Sequence, residues 1–99
     1  MKIDILQNAR IADICRRYGV RRMQMFGSAT QEAENSSSDV DLLIEFIPGQ
    51  FPTGFALVDM QDELSALFDG RAVDLAFSSV LSNPFRRKVI EPQLKVLFQ

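Results

Sequence analysis

The sequence predicts a single α/β domain of the α+β type, a small mixed β-sheet flanked by helices, and three observations point there. A helical stripe near the start ends at a glycine. A nearly continuous apolar run, Val40 to Ile47 (VDLLIEFI), reads as a central strand covered on both faces. A helix-length segment then separates that run from a second apolar one, Ala72 to Phe77 (AVDLAF), which favours a right-handed parallel crossover between the two strands. The 99 residues suit one core, because single domains usually occupy ~100–150 residues. A chain this short buries only about 60–65% of the surface it exposes when unfolded.

Taken in order, the first helix is expected from about Asp4 to Tyr18. Ile11, Ile14, Cys15 and Tyr18 recur at helical spacing, Arg16 and Arg17 suit the last turn, and Gly19 is the C′ stop. Val20 to Phe26 reads as a strand, and Gly27 to Ser38 as a small, polar loop with one helical turn around 31–34. After the central run, Pro48, Gly49, Pro52 and Gly54 break the chain. Thr53 is the expected cap of a helix lasting to about Phe68, with Leu57, Met60, Leu64 and Leu67 as its stripe and Asp69-Gly70 as its end. Asn83 as cap and Pro84 at the first position open a last helix, which Pro92 kinks or ends. The tail LKVLFQ is ambiguous and resembles a protease-tag remnant, so it is given no functional weight.

Composition narrows the chemistry. An apolar content of 46% and a charged content of 24% are those of a soluble globular protein, and no run approaches the ~20 apolar residues that span a bilayer. With no signal-like start and a lone cysteine, Cys15, a cytoplasmic location is expected. The chain has no histidine, which excludes a Ser–His–Asp relay and His-ligated zinc. Any metal must sit among oxygen ligands, which selects Mg²⁺, Mn²⁺ or Ca²⁺. A net charge of −2 gives no general attraction for nucleic acid, so direct nucleic-acid binding is not expected.

If the first two strands are antiparallel and the last two parallel, three strand ends meet at one edge of the sheet. Gly27-Ser28, Asp39-Val40-Asp41 and Asp74 fall at those ends. On a strand, residues i and i+2 share a face, so Asp39 and Asp41 project together while Val40 enters the core. Two adjacent carboxylates repel one another unless a cation lies between them. A solvated strand start would explain an isolated D-x-D as well. A calcium loop would not, because Leu42-Leu43-Ile44 follow where polar ligands and a glycine are needed. Gly27-Ser28 permits a tight turn and close approach of backbone N–H groups and a hydroxyl to a phosphate, although Gly-Ser is also an ordinary turn. Asp74 lies between Val73 and Leu75 and is explained either by a metal or base role or by exposure on an edge strand.

Phe26-Gly27-Ser28, ten further residues and then Asp39-Val40-Asp41-Leu42-Leu43-Ile44 resemble the signature of the DNA polymerase beta-like nucleotidyltransferase superfamily, above all its minimal nucleotidyltransferase (MNT) branch. The resemblance extends over nearly the whole chain, through Val73-Asp74-Leu75 to the final helix opened by Asn83-Pro84. It implies the polymerase beta-like fold, with Gly27 and Ser28 binding the triphosphate, Asp39 and Asp41 ligating Mg²⁺ (or Mn²⁺), and Asp74 completing a catalytic carboxylate triad. It further implies ATP as substrate, AMP transfer to a protein hydroxyl, and the role of an antitoxin paired with a helical HEPN ribonuclease toxin. Non-catalytic masking of that partner is the alternative. One departure bears on the choice. Relatives often carry an arginine directly after Gly-Ser, whereas Ala29 to Ser38 hold two glutamates and no positive charge. Arg21-Arg22 and Arg86-Arg87-Lys88 are then the candidate sources of positive charge. So short a chain leaves little to hold an acceptor of its own, and a hetero-complex is expected.

Overall fold

The computed structural model describes residues 3–27 and 39–99. Helix α1 spans Ile5–Tyr18. Its first turn is closed by a reciprocal cap: the Asp4 carboxylate accepts from the Gln7 N–H at 2.7 Å, and the Gln7 side chain accepts from the Asp4 N–H at 3.1 Å. Gly19 ends it in the left-handed region at φ 73°, its N–H bonded to the Cys15 carbonyl. Strands β1 (Val20–Phe26) and β2 (Val40–Phe46) pair antiparallel, from Phe26↔Asp41 to Val20↔Phe46, with an irregularity between Val20 and Arg22. Helix α2 (Ala56–Leu67) carries the chain across to β3 (Val73–Phe77), which runs parallel to β2. A 3₁₀ turn (Ser78–Ser82), α3 (Pro84–Ile90), a second 3₁₀ turn (Glu91–Gln93) and β4 (Lys95–Phe98) complete the order.

The sheet is mixed and four-stranded, in the order β3-β2-β1-β4. Val40, Leu42 and Ile44 of β2 point to one face with Met23 and Met25 of β1. There they meet Ile11, Ile14 and Cys15 from α1 and Met60, Leu64 and Leu67 from α2 in a single cluster. Each such side chain taken fully out of water contributes about 1.5–3 kcal/mol, so this face of the sheet holds the domain together. Leu43 points the opposite way and is also buried, so the middle of β2 is covered on both faces, as its apolar run requires. Burial pushes the Cys15 thiol up to about 12, leaving it an inert core residue. Among the described residues no helix is long and apolar enough to cross a membrane.

Two local expectations need correction. Thr53 does not cap α2 with its side chain: the helix begins later, with Phe55 at the cap position and no side-chain cap bond, and Thr53 contributes only its carbonyl, to the Ala56 N–H at 3.2 Å. The ambiguous tail is the fourth strand, pairing antiparallel with β1 through Gln24↔Val96 and Met25↔Lys95. Asn83 does open α3 as cap, its side chain accepting from Phe85 and Arg86 with Pro84 beside it, and α3 stops at Ile90, before Pro92.

Candidate functional site

The strand register brings the candidate carboxylates together. Val40 pairs with Val73, and its N–H donates to the Ala72 carbonyl at 2.9 Å, which fixes where the parallel ladder starts. One residue further on, Asp41 sits directly beside Asp74 on one side and Phe26 on the other. Alternation turns Asp41 away from the Val40-Leu42-Ile44 core, so its carboxylate stands on the face that α1 and α2 do not cover. Asp39 lies just before β2 and is exposed. Asp74 is also exposed and β3 is an edge strand, so burial gives Asp74 no special standing; its place beside Asp41 does. The start of β3 is held from α2, where the Gln61 side-chain amide donates to the Val73 carbonyl and the Ser65 hydroxyl to that of Arg71 at 2.7 Å.

Electrostatics follow from this crowding. Partial burial, then the charges of Asp74 and Asp39, hold the Asp41 carboxyl above the usual carboxylate range. Among the described residues no cation pairs with Asp39, Asp41 or Asp74. Nor does any group of three or more Asp, Glu, Cys or His side chains there form a ready-made metal cage. The donor set is nevertheless the all-oxygen, anionic one suited to Mg²⁺, which keeps several waters and relies on substrate phosphates to complete its shell.

Gly27 stands at the end of β1 with φ 82°, a conformation open to glycine, and it is required for a second reason. A Cβ there would lie 2.3 Å from Asp41 Oδ2, so only a residue without a side chain lets the carboxylate occupy its position. The Gly27 N–H donates to Gln93 Oε1 at 2.9 Å. Ser28 and the rest of the polar loop lie outside the described residues. Arg21 and Arg22 are not part of this edge. They pair with Glu45 at 3.2 and 3.1 Å near the other end of the β1–β2 ladder, which removes them as a source of charge for a phosphate. Arg86 remains: with Phe26, Phe85, Val89 and Ile90 it lines an open groove of about 440 Å³ on the Phe26 side of Asp41. A hollow of about 480 Å³ between the ends of α1 and α2 contains none of the candidate residues. Gln93, a polar residue 66 positions from Gly27, carries no local signal that would have marked it. Phe26 was legible as the residue before Gly27-Ser28, but not as a wall of a groove.

The model of the nucleotidyltransferase domain family matches residues 9–97. Protein adenylyltransferase MntA of Thermococcus cleftensis is 29% identical over 89 residues, covering 90% of this chain and 87% of that one. A solved structure provisionally named a minimal nucleotidyltransferase superposes with a TM-score of 0.68 at 28% identity, over 96% of this chain and 95% of the other. The same fold occurs in a complex of a tri-AMPylated Shewanella oneidensis HEPN toxin with MNT antitoxin, with a TM-score of 0.61 at 19% identity over 94% of this chain and 70% of that one. The match spans the leading helix, all four strands and the carboxylate edge alike, and on it the chain belongs to the nucleotidyltransferase domain family, in its minimal nucleotidyltransferase branch.

Proposed function

We propose that this chain transfers AMP from ATP to a hydroxyl of a partner protein, and that the partner is a helical HEPN-type toxin which it neutralises in the cytoplasm. The observation that supports this best is the side-by-side register of Asp41 and Asp74 with Asp39 at the mouth of the same edge, three carboxylates with no cation partner among the described residues. A fold needs no such cluster, whereas transfer of a nucleotide does. Asp39, Asp41 and Asp74 would hold Mg²⁺ (or Mn²⁺), and the ion when bound supplies charge neutralisation at the triphosphate.

The chain's own residues have separate tasks. Gly27 turns the backbone out of β1 while leaving room for the Asp41 carboxylate, and the Ser28 hydroxyl donates to a phosphate oxygen. The acceptor oxygen forms a bond to the α-phosphorus and the bond from that phosphorus to the β-bridging oxygen breaks, releasing pyrophosphate. Asp74, exposed at the sheet edge, takes the acceptor proton and passes it to solvent. The relative named a protein adenylyltransferase and the tri-AMPylated toxin complex that shares the fold agree with a protein acceptor.

Masking without catalysis is the second reading. It is favoured by the sequence from Ala29 to Ser38, which carries no positive charge, and by the engagement of Arg21 and Arg22 with Glu45. Mass spectrometry of the co-expressed toxin after incubation with ATP and Mg²⁺ separates the two. An enzyme protects at far below one copy per toxin and leaves an AMP-sized mass increase that persists after separation. If the Asp39→Asn/Asp41→Asn double variant protects as well as wild type and the toxin carries no added nucleotide, masking replaces catalysis.

A further inference from the structure

We infer that Gln93 is a positioning residue of the nucleotide site: its side chain holds the Gly27 end of β1 in register over Asp41. The inference rests on the nucleotide reading given above. Gln93 is half-buried in the turn between α3 and β4. Its Oε1 accepts from the Gly27 N–H at 2.9 Å, while its Nε2 donates to the Val89 carbonyl at 3.1 Å. With a donor facing the oxygen and an acceptor facing the nitrogen, the amide has one orientation that satisfies both partners. The C-terminal segment is thereby tied to the carboxylate edge by a side chain as well as by the β1–β4 ladder, whose nearest pair is Met25↔Lys95.

The place matters because Gly27 has little freedom. Its Cα side faces Asp41 Oδ2 so closely that a methyl group would not fit, so a shift of the Gly27 backbone changes the surroundings of that carboxylate directly. The same residue sets the direction in which the chain leaves toward Ser28. The position calls for an acceptor without charge. A carboxylate would add a fourth anion to Asp39, Asp41 and Asp74, and an ammonium group would set a donor against the Gly27 N–H. Glutamine meets both conditions. With the Gly27 amide engaged by Gln93, Gly27 contributes clearance for the Asp41 carboxylate to the nucleotide site.

The opposite role, a glutamine that competes with phosphate for the Gly27 N–H, predicts an effect of opposite sign, which makes the inference testable. The experiment compares full-length wild type, Gln93→Ala and Gln93→Glu by calorimetry with Mg²⁺ and the non-hydrolysable analogue AMP-PNP. It also follows the Gly27 amide by ¹H–¹⁵N NMR without nucleotide. In Gln93→Ala the Gly27 amide proton should move upfield and exchange faster, with affinity for AMP-PNP lowered by up to roughly tenfold, since one hydrogen bond is the most pre-organisation the change removes. Gln93→Glu keeps the acceptor, so the Gly27 proton should stay downfield while affinity falls through the added charge. An unmoved Gly27 resonance, or an affinity equal to or above wild type in Gln93→Ala, overturns the role of Gln93. Wild-type protein that binds no AMP-PNP overturns the nucleotide reading itself, and this role with it.

Discussion

Asp41 and Glu45 lie on the same strand and, by alternation, on the same face of the sheet, yet they live in opposite surroundings. Glu45 stands opposite Arg22 and is paired with both Arg21 and Arg22, so its charge is balanced within the chain. Beyond it Phe46, Phe51 and Phe77 pack edge to face or tilted, with centroids 4.9–6.1 Å apart, and finish that end of the sheet with apolar contacts. At the other end Asp41 has Asp74 beside it, Asp39 nearby and no cation among the described residues. The difference teaches where function resides. One end of β2 is balanced as folded, and the other, under the proposed function, is completed by a cation and a phosphate.

Changes at the two ends should therefore differ in kind. The largest effect is expected at the carboxylates: Asp39→Asn/Asp41→Asn should lower AMP transfer at least about 100-fold, since such a site supplies several kcal/mol at about 1.4 kcal/mol per tenfold in rate. Circular dichroism of the variant should stay that of the wild type, and a variant that transfers AMP normally would erase the contrast. Next comes Gly27→Ala, which places a methyl group against Asp41 Oδ2 at φ 82° and should cost about 1–3 kcal/mol in urea unfolding together with activity. Gly49→Ala is its control. Gly49 has the same φ but open space around a Cβ, so it should show backbone strain alone and normal transfer.

Arg22→Ala at the finished end should cost no more than about 1 kcal/mol and leave transfer unchanged, because the Arg22 side chain is partly exposed and Glu45 keeps its pair with Arg21. A deep loss of activity there would mean that the two ends are coupled. The smallest effect concerns pH. The Asp41 carboxyl is held above its ordinary value of 3.8 by burial and by its acidic neighbours, so the folded state binds that proton more tightly than the unfolded chain does. This contribution to stability is full at low pH and is lost as pH rises through the raised value. Asp41→Asn removes the loss, so its melting temperature should match wild type below about pH 3 and exceed it slightly at about pH 7, by less than 1 kcal/mol in stability because the site is partly solvated. A variant less stable than wild type at neutral pH would contradict the repulsion inferred here.

What was legible in the sequence were features with short-range causes. The apolar run of β2, the Gly19 stop and the Asn83-Pro84 start each carry their reason within a few residues, and the order of helix and strands then placed Asp41 and Asp74 at one edge. What was not legible depends on distant partners. β4 is four residues long with half of them exposed, and it becomes a strand only because β1 offers a free edge. Gln93 has meaning only through Gly27, and Arg21-Arg22 only through Glu45, a cross-strand pairing set by the bulged register. The Thr53 cap failed because the chain first makes a turn through Gly54 and starts the helix two residues beyond it.

The claim that the carboxylate edge, and not the fold alone, carries the function is tested most directly by calorimetry with AMP-PNP on wild type and Asp41→Asn, each with and without Mg²⁺. Wild type should bind the nucleotide in the presence of Mg²⁺ and far more weakly without it, and Asp41→Asn should show the weak binding under both conditions while remaining folded. Equal, Mg²⁺-dependent affinity in wild type and Asp41→Asn would show that the nucleotide is held elsewhere and would contradict the site described here.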